Sequence, residues 1–359
     1  MSKTKVNEEF LVKYLNSNSP VGFEIECGGA KKWIDYVTPY AKAVEVDTYG
    51  TAYAYYNETD PDKKTVVIEA HSDEISWRIN YIRPDGFIRV IRNGGSDTLI
   101  APSKRVDIFG NKGKVKGVFG FPPIHDNQRN ENAGLQDIFL DVGASSKEEV
   151  LELGIEVGDV AVFDDKLMIL NDRYYVGRAL DNRIGGVAIA EVLRKLYENK
   201  VELPFNLVVI NAVQEEVGLH GGQMASFNIK PDIAIVTDVT HSTDSPAYNA
   251  ERQGDIKAGQ GAVIDRSPAT HNVIHRLIRK VADKKGIPTQ LQASSSGLGT
   301  DAGAFSYGSG GCATALISFP LRSMHTVVEQ VHKDDVVSVI RLIYHTLKNI
   351  SEDIKLEYL

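Results

Sequence analysis

Four segments of the chain share one pattern, a run of β-branched and other apolar residues that stops abruptly at polar or acidic ones: TVVIEAH (65–71), LVVINAV (207–213), DIAIVTD (232–238) and CATALISFP (312–320). Continuous apolar runs, as opposed to alternating ones, predict strands buried on both faces. Helical periodicity runs through GVAIAEVLRKLYEN (186–199), HNVIHRLIRKVADKKG (271–286) and DDVVSVIRLIYHTLKNI (334–350). Strands alternating with helices predict an α/β domain with a central, mostly parallel sheet and helices on both of its faces. From about 77 to 171 the pattern changes to short alternating strands, WRINYI, GFIRVI, KVKGVFGF, DIFLDV and VGDVAVF, punctuated by RPDG, RNGG, FGNKG and EVGD turns. That is the pattern of a small β-barrel or sandwich. It interrupts the α/β pattern after the first strand, so 77–171 reads as an inserted β-barrel domain and 1–76 with 172–359 as the domain that encloses it.

Composition narrows the function. The 359 residues carry 40 Lys+Arg against 48 Asp+Glu, a net charge of −8, with no basic run, so a nucleic-acid partner is not expected. No stretch approaches 18 consecutive apolar residues, and the opening MSKTKVNEEFLVKYL reads as an amphipathic helix without an apolar run ending in a cleavage site. The expectation is a cytoplasmic protein with no membrane partner. Cys27 and Cys312 are the only cysteines, too few for a disulfide framework or a cysteine-based zinc site, so any metal must be held by His, Asp and Glu.

In open α/β sheets binding sites form beyond the carboxyl ends of the strands. There the first run delivers His71, Asp73 and Glu74, the second Glu215 and Glu216 and the third Asp238, while the loop after the fourth delivers His325. Asp181 follows the barrel region inside GRALDNRIGG. Each has an ordinary alternative: Asp181 as a helix N-cap, Glu215-Glu216 as a solvated strand end, Asp238 as a loop cap. Convergence favours the set His71, Asp181, Glu216, Asp238 and His325 as nitrogen and carboxylate ligands suited to zinc, cobalt or manganese. Residues i and i+2 of an extended segment point the same way, so Asp73 can lie beside the His71 ring and orient it. Adjacent Glu215 and Glu216 on an extended strand end would point apart, one toward metal and one free to handle a proton. A carboxylate bridging two cations would hold them about 3.5–4 Å apart, and Asp181, between the other ligands in chain order, is the candidate bridge. His271 and His275 are spaced i, i+4 but lack the glutamate of HExxH, so they read as part of an amphipathic helix.

The motif series AHSDE (70–74), GRALDNRIGG (177–186), VQEEVGLHGG (213–222), VTDVTH (236–241), GTDAGA (299–304) and SMHTVVE (323–329) resembles that of the tetrahedral (TET) metallo-aminopeptidases, which include glutamyl and deblocking aminopeptidases. The resemblance runs through essentially the whole chain. It implies a hydrolase that removes N-terminal residues from short peptides with two divalent metal ions per subunit, zinc first and cobalt or manganese as alternatives. It implies His71 and Asp238 at one metal, Glu216 and His325 at the other, Asp181 as the bridge, Glu215 as the general base and Asp73 behind His71. It further implies that the barrel is a dimerisation domain and that dimers assemble into a dodecamer with interior active sites. Gly299, Thr300 and Asp301 are candidate substrate-binding residues, or else a tight turn before the next element. Ser76 and Trp77 stand where a glycine is more usual, and Asn182 where a second Asp is common, which bears on substrate-pocket shape. Alternatives are a dimetal deacylase or carboxypeptidase-type amidohydrolase, and a non-catalytic scaffold on a peptidase fold.

Overall fold

The computed structural model describes residues 6–123, 125, 134–295 and 299–359; the first five residues of the predicted opening helix lie outside them. The four apolar runs form strands Thr65–His71, Asn206–Ala212, Ile233–His241 and Ala313–Arg322, side by side at the centre of an 11-stranded sheet. These four are mutually parallel, and antiparallel strands extend the sheet on either side: Ala43–Val46 and Ala52–Tyr55 beyond one edge, Glu329–His332, Tyr174–Gly177 and Met168–Leu170 beyond the other. The antiparallel strands are short, which is why their pattern is weaker in the sequence than that of the buried centre.

Alternate residues of the central strands feed two cores. Val66, Ile68, Val209 and Ile235 face a large cluster with helices Leu180–Glu198, Asn272–Lys285 and Lys333–Leu347. Val67, Val208, Ile210 and Val236 face a smaller one containing Ala225 of helix His220–Ile229 and Phe305 of helix Asp301–Tyr307. Helices thus cover both faces, as expected for strands apolar throughout. Register brings the carboxyl ends level: His71 lies opposite Ala212, and Val236 opposite Glu69, which puts Asp238 level with His71.

The intervening region closes into a barrel of six strands, Ser76–Ile82, Ile88–Asn93, Phe139–Asp141, Gly113–Gly120, Arg105–Gly110 and Val160–Phe163. It has a separate core, in which Trp77 is fully buried with ring contacts to Phe119 at 5.2 Å and Phe163 at 6.4 Å. Trp77 therefore serves barrel packing, not the shape of a substrate pocket. Ser76 is turned to the same end: its hydroxyl accepts a 2.7 Å hydrogen bond from Asn93 Nδ2. Val327 also joins the barrel core although it belongs to the segment that follows the fourth central strand.

The chain has two tryptophans, Trp33 in the α/β core and Trp77 in the barrel. In a Trp33→Phe background Trp77 emission reports the barrel alone. Phe119→Ala should shift the denaturation transition seen by that emission by about 3–5 kcal/mol, the cost of emptying a buried aromatic site; an unmoved transition would mean that the aromatic contact does not hold the barrel together.

Candidate active site

Asp181 lies where the chain leaves strand Tyr174–Gly177 and enters the long helix Leu180–Glu198, and its own backbone, φ −74° and ψ 116°, is not helical. The residue is therefore not the simple helix cap that its position would allow. Its carboxylate is split between two imidazoles: Oδ1 is 3.3 Å from His71 Nε2, and Oδ2 is 3.3 Å from His325 Nε2. Asp238 Oδ1 is 4.0 Å from His71 Nε2 on one side, and Glu216 Oε2 is 3.6 Å from His325 Nε2 on the other. Glu215 Oε2 stands 3.8 Å from His71 Nε2. The ligand atoms of His71, Asp181 and Glu216, and those of His71, Glu215 and Asp238, fall within 4.8 Å of one another. Metal–ligand bonds of about 2.0–2.2 Å in tetrahedral geometry separate donor atoms by roughly 3.3–3.6 Å, close to the spacings seen around His71 and Asp181, so the cluster and its N/O donor chemistry fit a divalent metal site.

Electrostatics point the same way. Glu216 and Asp238 are held well above the ordinary carboxyl range, first by burial and then by the charge of Asp181. Burial pushes Glu215 up to about 10, with His71 opposing and the Asp238 and Asp301 charges adding. Burial also works against ionised Asp181, but hydrogen bonds from His325 and His71 outweigh it and hold that carboxyl well below its usual value. Two imidazoles are too little positive charge for this many buried acids, and a divalent cation is the group that would restore the balance.

Asp73 and Glu329 hold the surrounding backbone. Asp73 Oδ1 is 3.4 Å from His71 Nδ1 and accepts the N–H of Glu215 at 3.1 Å, while Oδ2 accepts the N–H of Glu216 at 3.1 Å. The two glutamates do not sit on an extended strand end, as their sequence suggests: the strand stops at Ala212, Gln214 has φ +57°, and Glu216 enters a turn. Their divergence comes from that turn, clamped by Asp73. Glu329, 2 % exposed, does the equivalent on the other side, its Oε1 accepting from His325 N–H at 2.8 Å and its Oε2 from Asp181 N–H at 3.1 Å. Nothing local in SMHTVVE marks Glu329, because only the tertiary approach of residue 181 gives it a second partner. Glu74, also buried, pairs with Arg178 and accepts from Ser19 N–H, tying the first motif to the segment before Asp181.

GTDAGA resolves as a helix start. Thr300 Oγ1 accepts the Ala302 N–H at 3.2 Å and caps helix Asp301–Tyr307, Gly299 is exposed, and Asp301 is 1 % exposed. The buried Asp301 carboxyl lies beside Glu69 of the first central strand and adds to the negative charge around Glu215. Asn182 is buried and donates Nδ2 to Thr237 O at 2.6 Å, anchoring the helix entrance to the third central strand. His275 is buried in its helix and His271 stacks on Tyr358, both away from the cluster. A cleft of about 540 Å³ beside Asp232 and Ala313 lies at the amino ends of the strands, opposite the ligands.

A sheet covered on both faces, with a His/carboxylate cluster at the carboxyl edge and a barrel following the first of its central strands, defines the class as an α/β protein with a candidate metal site. The chain belongs to the M42 glutamyl aminopeptidase family, whose model matches residues 50–342. Among its relatives is the lysyl aminopeptidase of Pyrococcus furiosus, 33% identical over 94% of this chain and 95% of that protein. A TET aminopeptidase from a marine-sediment thaumarchaeon superposes with a TM-score of 0.89, at 28% identity over 96% of each chain. The Pyrococcus horikoshii TET1 peptidase, which can assemble into a tetrahedron or a large octahedral shell, superposes with a TM-score of 0.82, at 30% identity over 94% of this chain and 98% of that one.

Glu329→Gln keeps one acceptor and loses the other. The variant should fold but hold divalent metal about 10–100-fold less tightly in equilibrium dialysis, the usual cost of disturbing a group behind the ligands. Parental affinity would mean that neither backbone depends on this carboxylate.

Proposed function

We propose that the chain is a dimetal aminopeptidase that cleaves N-terminal residues from short peptides. The observation that carries the reading is the Asp181 carboxylate, whose two oxygens face two different imidazoles at the same 3.3 Å. His71 and Asp238 would hold one ion, Glu216 and His325 the other, and Asp181 both. When bound, the ions supply Lewis acidity toward the scissile carbonyl and the positive charge that keeps the surrounding carboxyls ionised. Glu215 takes a proton from the attacking water and delivers it to the leaving amine. Asp73 orients His71 and the turn that carries Glu215. Zinc, cobalt and manganese all suit this donor set.

One observation favours a second role for Glu215, since its carboxylate also groups with His71 and Asp238 within ligand distance. Glu215→Gln separates the two. As a base, its loss should leave two ions per chain by elemental analysis and lower kcat by at least about 10²-fold, in line with loss of a general base; loss of one ion would make it a ligand, and near-normal turnover would remove it from the chemistry.

The oligomer we propose is a homo-oligomer of the dodecameric type seen in a TET1 structure that superposes with a TM-score of 0.82, built from dimers through the barrel. Exposed apolar side chains support association: Met168, Ile169 and Leu170 form the last strand of the sheet, 53, 45 and 43% exposed, an edge that a solitary chain would leave open. No described helix is long and apolar enough to cross a membrane.

The reading is tested with free-amine, N-blocked and C-terminally blocked peptides assayed with added zinc, cobalt or manganese, and with mass measured in solution on the same sample. Strict need for a free α-amine is the expected result. Cleavage of N-blocked substrates would point to the deacylase or carboxypeptidase alternative, and fewer than one ion per chain after metal is added back would favour a scaffold.

A further inference from the structure

The RNGGSD turn, residues 92–97, belongs to the barrel by sequence yet reaches the sheet edge. A methyl carbon placed on Gly95 would lie 2.5 Å from Nδ1 and 2.7 Å from Cε1 of His325, and one on Gly94 would lie 3.3 Å from Glu216 Cβ. The turn is firmly anchored. Asn93 Nδ2 donates to Val21 O at 3.0 Å as well as to the Ser76 hydroxyl, and Ser96 Oγ donates to Ser76 O at 2.6 Å. Asn93 and Ser96 are buried, and Gly94 has φ +85°, a conformation that an L side chain strains. Gly95 has no such backbone requirement, so its need is for space. The acids stand at the ring's other nitrogen: Nε2 is 3.3 Å from Asp181 Oδ2 and 3.6 Å from Glu216 Oε2. The His325 ring thus fills the gap between a barrel turn and two carboxylates. Two residues on, Val327 is buried in the barrel core.

Resting on the dimetal reading above, we propose that the barrel is a working part of the active site: Gly95 and Val327 position His325, and the missing side chain at 95 is what lets that imidazole reach the ion it shares with Glu216. An added methyl must displace either the anchored turn or the ring. The His325 side chain is 35% exposed and has solvent to swing into, whereas the turn is held at both ends. The ring yields, and the ion on the His325 side of Asp181 is held more weakly while the His71 side keeps its ligands. Gly95 is a positioning residue, with no contact of its own to the reacting atoms.

The test is a double-mutant cycle on the full chain, with zinc affinity and stoichiometry read by equilibrium dialysis and elemental analysis, and stability read from melting of the metal-free protein. Gly95→Ala should weaken the second ion about 10–100-fold while leaving the first in place and the metal-free melt unchanged. His325→Ala should lose the same ion, and Gly95→Ala added to it should cause no further loss, because there is no longer a ring to push. Parental affinity for both ions in Gly95→Ala, with His325→Ala still losing one, overturns this inference and leaves the dimetal reading standing. A His325→Ala chain that retains both ions overturns both. A metal-free Gly95→Ala chain that melts well below the parent also overturns the inference, because the methyl would then be moving the scaffold and not the ring.

Discussion

The molecule is organised around a shortage of positive charge. At the carboxyl edge of the central sheet, Asp181, Glu215, Glu216 and Asp238 stand within a few ångströms of His71 and His325, and Asp73 and Glu329 lie directly behind them. Burial first, and neighbouring acid charges after it, push the Glu215, Glu216 and Asp238 carboxyls toward their neutral forms. A fold that gathers acids in this way gains nothing from them as mutual neighbours, since like charges at short range in a protein interior repel strongly. A divalent cation held among these groups would relieve that repulsion, and the carboxylate of Asp181, facing His71 on one side and His325 on the other, lies at the centre of the cluster.

Holding that arrangement falls to groups one layer out. Asp73 and Glu329 each give both oxygens to backbone N–H groups of the segments that carry the inner residues, so the turn at 214–216 is fixed to the loop at 73, and the segments at 181 and 325 to each other. Glu74 with Arg178, and Arg183 with its guanidinium 4.3 Å over the Tyr14 ring, extend the same restraint to the N-terminal helix Glu8–Leu15. A buried ion pair of this sort contributes little net stability once desolvation is counted. Its value here is geometric, because it joins the loop after the first strand to the segment entering the long helix.

The barrel makes a second kind of contribution. It closes around its own aromatic core, yet its RNGG turn and the Val327 side chain meet at the segment that carries His325. A barrel formed by residues between the first motif and the second in sequence is in this way brought back against the last. This also accounts for the unusual Ser76-Trp77 pair: Trp77 fills the barrel, and Ser76 receives the anchor of the turn.

Much of this was legible in the chain itself. The four apolar runs mark the buried strands because only a strand covered on both faces can be apolar at every position, and the change to alternating residues near 77 marks a sheet with one buried face. The acidic and histidine residues at the ends of those runs were readable for the same reason, since strand ends in parallel sheets gather at one edge. Tertiary structure alone decided the rest. That Asp181 leaves the helix pattern, that Glu215 and Glu216 diverge through a turn and not along a strand, that Glu329 joins two distant backbones, and that Gly95 must be small for the sake of a ring 230 residues away, each depends on an approach between segments far apart in sequence. Periodicity records which way a residue faces within its own element. What it faces is set by how the elements dock, and no local pattern carries that.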